Sequence, residues 1–183
     1  MALWWKDGYD VTIRPWCQYF MDAVISSEDG CWRFTGIYGE PRTELENNTW
    51  DAIRCLKRQD DLPWLCTGDF KEACWQEEHK GKNERGWTQM EKFRECLTDC
   101  GFLELGYSGY TYTWDNRREG EENVQVRLDR ATCNDSFSCL FPLTTVENIP
   151  TEEPDHMALI IRVAKEGPSQ QSRCARQFRY EEM

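Results

Sequence analysis

The apolar residues of this chain fall into short runs, each of strand length and most of them closed by Gly, Pro or a charged residue. That pattern constrains the fold more than any other feature. A run that alternates and then stops is a half-buried strand, and several such runs must share a sheet. Residues 31–38 are the clearest case, alternating up to Tyr38 and stopping at Gly39 and Pro41. Residues 2–5, 11–13, 23–25, 62–70, 102–105, 110–114, 124–129, 143–149 and 157–163 read as further strands. Two segments carry helical spacing instead. Leu45, Trp50, Ile53 and Leu56 form one stripe, preceded by a capping-box pair, Thr43 and Glu46. Met90, Phe93, Leu97 and Cys100 form another, opened by Thr88 and Glu91 and stopped by Gly101. Between them, residues 72–86 read as an exposed charged loop, and residues 117–122 read as a polar turn. Strands interspersed with two helices predict an α/β or α+β sandwich.

A chain of 183 residues is long enough for one domain with a core of its own. No apolar run approaches the roughly 20 residues of a spanning helix. The start, Met1 to Lys6, lacks the basic lead and apolar stretch of a secretory signal. An intracellular protein, nuclear or cytoplasmic and not secreted, is the expectation. The ten cysteines are then expected as reduced thiols, with no disulfide-linked partner. They contain no C-x-x-C pair, and Cys96 with Cys100 lacks a second pair nearby, so structural zinc is not expected either. Charge adds a condition. Lys plus Arg number 22 and Asp plus Glu 33, for a net charge of −11. Such a chain repels nucleic acid at long range, and any role there needs a local basic patch or bound metal ions.

No phosphate-binding loop, dinucleotide fingerprint, nucleophile elbow or H-E-x-x-H helix occurs in the sequence. Candidate chemistry sits instead at strand ends, where layered proteins place their functional groups. Tyr38 ends one strand. Asp69 follows Gly68 in a strand-terminal turn. Asp129 lies in Arg127-Leu128-Asp129-Arg130, and Asp155-His156 precedes the last apolar run. Taken singly, each is as well explained by packing or by an ordinary turn.

Taken in order, they resemble a known family. Ile37-Tyr38-Gly39, Gly68-Asp69-Phe70, Tyr112-Thr113-Trp114-Asp115-Asn116, Arg127-Leu128-Asp129-Arg130 and Asp155-His156 are similar to the endonuclease/exonuclease/phosphatase superfamily, whose fold is that of pancreatic deoxyribonuclease. Trp32 through Gly39, Leu62 through Cys66 and Arg118 through Arg130 resemble more closely the endonuclease domain of plant LINE-type non-LTR retrotransposons. The resemblance implies a four-layer β-sandwich with outer helices and metal-assisted phosphodiester hydrolysis on DNA. It implies Asp69 as the group that orients or deprotonates the attacking water and His156 as the stabiliser of phosphoryl charge. Asp129 would orient His156, and Tyr38 would contact the phosphate. It further implies Asp155 as a ligand for Mg²⁺, with Mn²⁺ as a substitute, and Thr113 and Asn116 as nucleic-acid contacts.

The departures from the family's pattern bear on the same site. The family's N-terminal strands, one carrying a metal-binding Glu, have no counterpart before Ala2, so the resemblance implies a truncated domain over residues 1–166. Residues 2–6 are then expected as a strand lacking its outer neighbour, and 167–183 as a linker toward an absent reverse transcriptase. Gly-Asp-x-Asn is here Gly68-Asp69-Phe70-Lys71. Lys71 is expected to lower the pKa of Asp69 and to attract a substrate phosphate. Pro154 stands where the family has Ser. Together these imply a catalytically weak or inactive remnant of a Mg²⁺-dependent endonuclease, with DNA binding weak or lost. A non-catalytic acidic protein-interaction module stands beside it as the alternative.

Overall fold

The computed structural model describes residues 1–152 and 155–165. In chain order its elements are β1 (Asp10–Trp16), β2 (Phe20–Ser27), β3 (Gly30–Tyr38), α1 (Asn47–Lys57), β4 (Trp64–Asp69), β5 (His79–Lys80), α2 (Trp87–Asp99), β6 (Leu103–Glu104), β7 (Tyr107–Gly109), β8 (Trp114–Asp115), β9 (Gln125–Val126), β10 (Asp129–Cys133), α3 (Asp135–Leu140), β11 (Thr145–Pro150) and β12 (Met157–Arg162). Six strands form the main sheet in the order β1-β2-β3-β4-β10-β6. A second sheet, β12-β11-β7, and a small one, β5-β9-β8, complete the described strands.

Alternation along β4 decides which layer each residue serves. Trp64 and Cys66 face the helices and pack with Trp50, Ile53 and Leu56 of α1 and with Phe93, Cys96 and Leu97 of α2. Leu65, between them, faces the other way. It joins Trp32, Ala131 and Cys133 of the main sheet in a core with Val146 of β11 and Phe137 of α3. Leu159 and Ile161 of β12 pack against the same cluster. The α+β sandwich read from the sequence is the fold observed: helices, then the six-stranded sheet, then the smaller sheet.

The smaller sheet has three strands where the main sheet has six, so the inner face of β1 and β2 is only partly covered. An open cleft of about 350 Å³ runs there, walled by Val11, Ile25 and Trp32 on one side and Ile161 on the other. Residues 2–6 are not a strand. They carry no sheet pairing, and Trp4 is 89% exposed. β1 is the edge strand of the main sheet and pairs on one side with β2; residues 2–6 do not add to its open side.

Both expected capping boxes are absent. The first helix starts after Glu46, with no side-chain cap, so Thr43 falls in a preceding 3-10 turn. The second starts at Trp87, which places Thr88 inside it. Its stop is as expected, with Gly101 at φ 66° just past the C-cap. The expected strand over 110–114 is instead β7 before it and β8 at its end. The expected strand over 124–129 divides between β9 and β10, which lie in different sheets. Residues 72–86 are not simply an exposed loop. Glu72 and Glu78 are buried there, each paired with arginine. Helix α3 gave only the Asn134-Asp135-Ser136 sequence as a signal; Asn134 caps it, its Oδ1 accepting from the Phe137 amide at 2.9 Å. Pro154 and the linker expected from residue 167 lie outside the described residues.

Candidate active site

Sheet register assembles the site. Tyr38 of β3 pairs in parallel with Asp69 of β4, and Asp69 pairs in antiparallel fashion with Asp129 of β10. Three residues far apart in sequence thus stand in one row at one end of the main sheet. Getting β3 close to β4 at that point depends on Gly68, at φ 135°. A Cβ there would lie 2.2 Å from the Ile37 carbonyl oxygen. The Gly-Asp pair is therefore a requirement of strand approach, followed by a carboxylate at the strand's last position.

His156 joins the row from the other sheet. A bridge between Trp114 and His156 holds its backbone, reinforced by the Met157 amide donating to the Thr113 carbonyl at 2.8 Å. The His156 ring Nδ1 lies 2.9 Å from Asp129 Oδ2, and Nε2 lies 3.7 Å from Asp69 Oδ2. Asp129 is itself positioned from behind. The Thr113 hydroxyl accepts from the Asp129 amide at 2.8 Å and the Leu128 amide at 3.0 Å. Thr113 is fully buried, so it orders the strand end that carries Asp129 and offers nothing to an incoming ligand.

Asn116 is also occupied. Its side chain donates to the Glu122 carbonyl at 2.9 Å and accepts from the Val124 amide at 3.0 Å, closing a polar hairpin. Asp155 is exposed. Among the described residues, the potential metal ligands that converge are Asp69, Asp129 and His156, with ligand atoms within 4.8 Å of one another; Asp155 is not in the set. Tyr38 is half exposed beside them, its ring 4.5 Å below the Lys71 ammonium. What sequence reading did not assign is the role of Arg127 and Arg130. They flank Asp129 and are anchored on Glu78, at 3.1 Å and 2.8 Å, and on Glu104. The arginines in the motif were the available signal, but their partners lie 23 or more residues away from Arg127 and 26 or more from Arg130.

Lys71 comes in through an unusual backbone. Its φ is 63°, a left-handed conformation that suits Gly or Asn better than Lys. The Lys71 amide donates to Asp69 Oδ1 at 2.9 Å, and this local turn holds it there. The ammonium then folds back into an ion pair with Asp69 Oδ2. The expected lowering of the Asp69 pKa does not result. Burial and then the Asp129 charge push the Asp69 carboxyl above its usual range, and the Lys71 contribution is too small to reverse them. For His156, the Asp129 contact outweighs burial, and its pKa is raised. For His79, burial and then Arg85 lower it.

The two histidines give a direct test. A proton NMR titration should show two ring transitions, one above the ordinary His value of about 6.5 and one below it. Asp129→Asn should bring the upper one down. The sign for stability follows. A raised folded pKa means that the His156–Asp129 contact contributes fully below about pH 6.5 and fades as pH rises through the folded value. An upper transition that ignores Asp129→Asn would refute the pairing.

A hard divalent ion requires several oxygen ligands. Here Asp69 Oδ2 is engaged by Lys71 and Asp129 Oδ2 by His156. The groups present do not fit Mg²⁺ or Mn²⁺ in this arrangement.

No family model and no curated protein matches the chain. Solved structures do. The endonuclease domain of TRAS1, a telomere-specific non-LTR retrotransposon, aligns with TM-score 0.67 and 18% identity over 88% of this chain and 72% of that one. An endonuclease/exonuclease/phosphatase family protein from Leptotrichia buccalis aligns with TM-score 0.56 and 14% identity, over 87% and 62%. The 3′ phosphatase NExo from Neisseria, bound to a product DNA hairpin, aligns with TM-score 0.56 and 13% identity, over 79% and 65%. The fold is thus the one shared by endonuclease/exonuclease/phosphatase structures, and the chain spans roughly two thirds of their lengths.

Proposed function

We propose that this end of the sandwich is a DNA phosphodiester site of the retrotransposon endonuclease type, with weak turnover or none. The observation that carries the reading is the convergence of Tyr38, Asp69, Asp129 and His156, drawn from β3, β4, β10 and the start of the smaller sheet's edge strand. The His156–Asp129 pair has the geometry of an oriented imidazole, with Nε2 turned toward Asp69. An imidazole so held can donate to a phosphoryl oxygen as charge grows on it. Asp69, buried and with a raised pKa, has the basicity to accept a proton from water once its cation is displaced. Tyr38 offers a hydroxyl at the rim. A likeness to nuclease and phosphatase structures supports the same substrate class.

Turnover is limited by two features of the site. Lys71 engages the general-base candidate, and the available carboxylates do not suit a divalent ion. The test is nicking of supercoiled plasmid in Mg²⁺ and in Mn²⁺. The expected result is conversion close to background, with any residual nicking lost in His156→Ala. Robust metal-dependent nicking abolished by that substitution would show a competent enzyme and overturn the weak-turnover part. Nicking unaffected by His156→Ala would place the activity elsewhere.

A further inference from the structure

The cation at Asp69 is covalently part of the chain. We propose that Lys71 is a tethered replacement for a divalent metal ion: its ammonium takes the cation position at Asp69, excludes metal from it, and contacts a backbone phosphate of DNA directly. The second half rests on the proposed function; the first does not.

Three observations carry it. Asp69 Oδ2 is fully buried and has no hydrogen-bond partner of good geometry; Lys71 and, at 3.7 Å, His156 are the charges that face it. An anionic oxygen in that position needs a cation, since an uncompensated buried charge is strongly destabilising. The ammonium is not a surface group that happens to pass by. The Lys71 side chain is 17% exposed, its amide is fixed on Asp69 Oδ1, and its Nζ lies 4.5 Å above the Tyr38 ring. The backbone holds a left-handed conformation that lysine does not favour, and it persists because the turn around Asp69 over-determines it.

Charge counting points the same way. Asp69 and Asp129 bring two negative charges; Lys71 neutralises one, and the His156 ring, when protonated, faces both carboxylates. A divalent ion added to the ligands Asp69, Asp129 and His156 would have to displace the ammonium or sit against it, and the two cations would repel at contact distance. An ammonium has three donors, and its ion pair with Asp69 Oδ2 occupies at most one of them. The remaining donors can reach an anion at the rim beside Tyr38, where a phosphate oxygen would meet a positive charge in an otherwise acidic protein.

The experiment uses the full chain and Lys71→Met and Lys71→Arg variants, each first checked for the wild-type circular dichroism spectrum. Mn²⁺ binding is read from loss of the free-ion electron paramagnetic resonance signal. The wild type and Lys71→Arg should leave that signal unchanged, and Lys71→Met should bind at least tenfold more tightly than either. Equal Mn²⁺ binding by wild type and Lys71→Met, whether tight or absent, overturns the exclusion. Binding of a fluorescein-labelled DNA duplex in EDTA is read by anisotropy. Lys71→Met should weaken it about tenfold, and Lys71→Arg should preserve it. Equal DNA binding by all three overturns the phosphate contact. No DNA binding by any of them overturns both that contact and the proposed function, while the Mn²⁺ comparison still decides whether Lys71 fills the cation position.

Discussion

Replacing Asp22 with Ala should lower the stability of the fold by about 3 kcal/mol, the lower end of the cost of breaking a buried ion pair, because Asp60 at 3.6 Å still faces Arg33. Asp22 and Arg33 are both fully buried, and the guanidinium meets the carboxylate through Nε at 2.9 Å and Nη2 at 2.8 Å. Removing the carboxylate takes away the bidentate partner of Arg33 and leaves it the longer contacts to Asp60 at 3.6 Å and Gln59 Oε1 at 3.3 Å, with Trp64 4.6 Å below it. The damage would not stay local. Arg33 Nη1 also donates to the Leu56 carbonyl near the end of α1 at 2.8 Å, and the Thr35 hydroxyl donates to Asp22 at 2.7 Å. One carboxylate therefore ties β2 to β3, and β3 to the first helix. Urea denaturation should show a lower midpoint with an unchanged slope. A loss below about 1 kcal/mol, the scale of exposed pairs, would mean that Asp60 or water takes over Arg33 and that the Asp22 pair is not the anchor its geometry implies.

Neither that pair nor the site could be read from spacing alone, and the reason is the same in both. Local signals specify local structure. β3 was legible because residues 31–38 alternate and then meet Gly39; α1 and α2 were legible because Trp50, Ile53 and Leu56, and Met90, Phe93 and Leu97, recur at helical intervals. Each of those faces is buried against a layer that any sandwich supplies. The capping boxes failed because a Thr and a Glu three apart are common, and the helix start is chosen by where the buried stripe must begin. Residues 2–5 are as apolar as a strand, yet a strand exists only where it pairs, and these residues do not pair with the open edge of β1. The loop over 72–86 looked exposed because it is charged; it is partly buried because Arg85, Arg127 and Arg130 supply counter-charges from elsewhere in the chain. The row of Tyr38, Asp69 and Asp129 follows from pairing register, which a single sequence does not reveal, so those residues came from the ordered motifs of a family resemblance. Thr113 shows the limit of that route. Its motif position suggested a contact to nucleic acid, whereas its buried hydroxyl is spent on the amides that present Asp129.

Gly68→Ala should be the most disruptive small substitution in the main sheet, costing at least about 3 kcal/mol. Two effects act at once. At φ 135° an L-residue with a side chain is strained in itself. The added Cβ also meets backbone, 2.2 Å from the Ile37 oxygen and 2.9 Å from its nitrogen, so no side-chain rotation relieves it. Only separation of β3 from β4 does, and these strands carry Tyr38 and Asp69 in register one position further on. Loss of stability should therefore be accompanied by a change at the site. The upper His156 transition should move toward the ordinary value as β4, pushed off β3, carries Asp69 away from the His156 ring, even under conditions where the variant stays folded. Gly36→Ala is the matched control on β3. Its Cβ would find Phe34 at 3.6 Å and the Met21 oxygen at 4.0 Å, which are ordinary contacts, and its φ lies outside the left-handed region. That variant should stay within about 1 kcal/mol of wild type and leave the His156 titration in place. If the two alanine variants behaved alike in urea, the close approach at Gly68 would not be what sets the site, and the row of three side chains would need another cause.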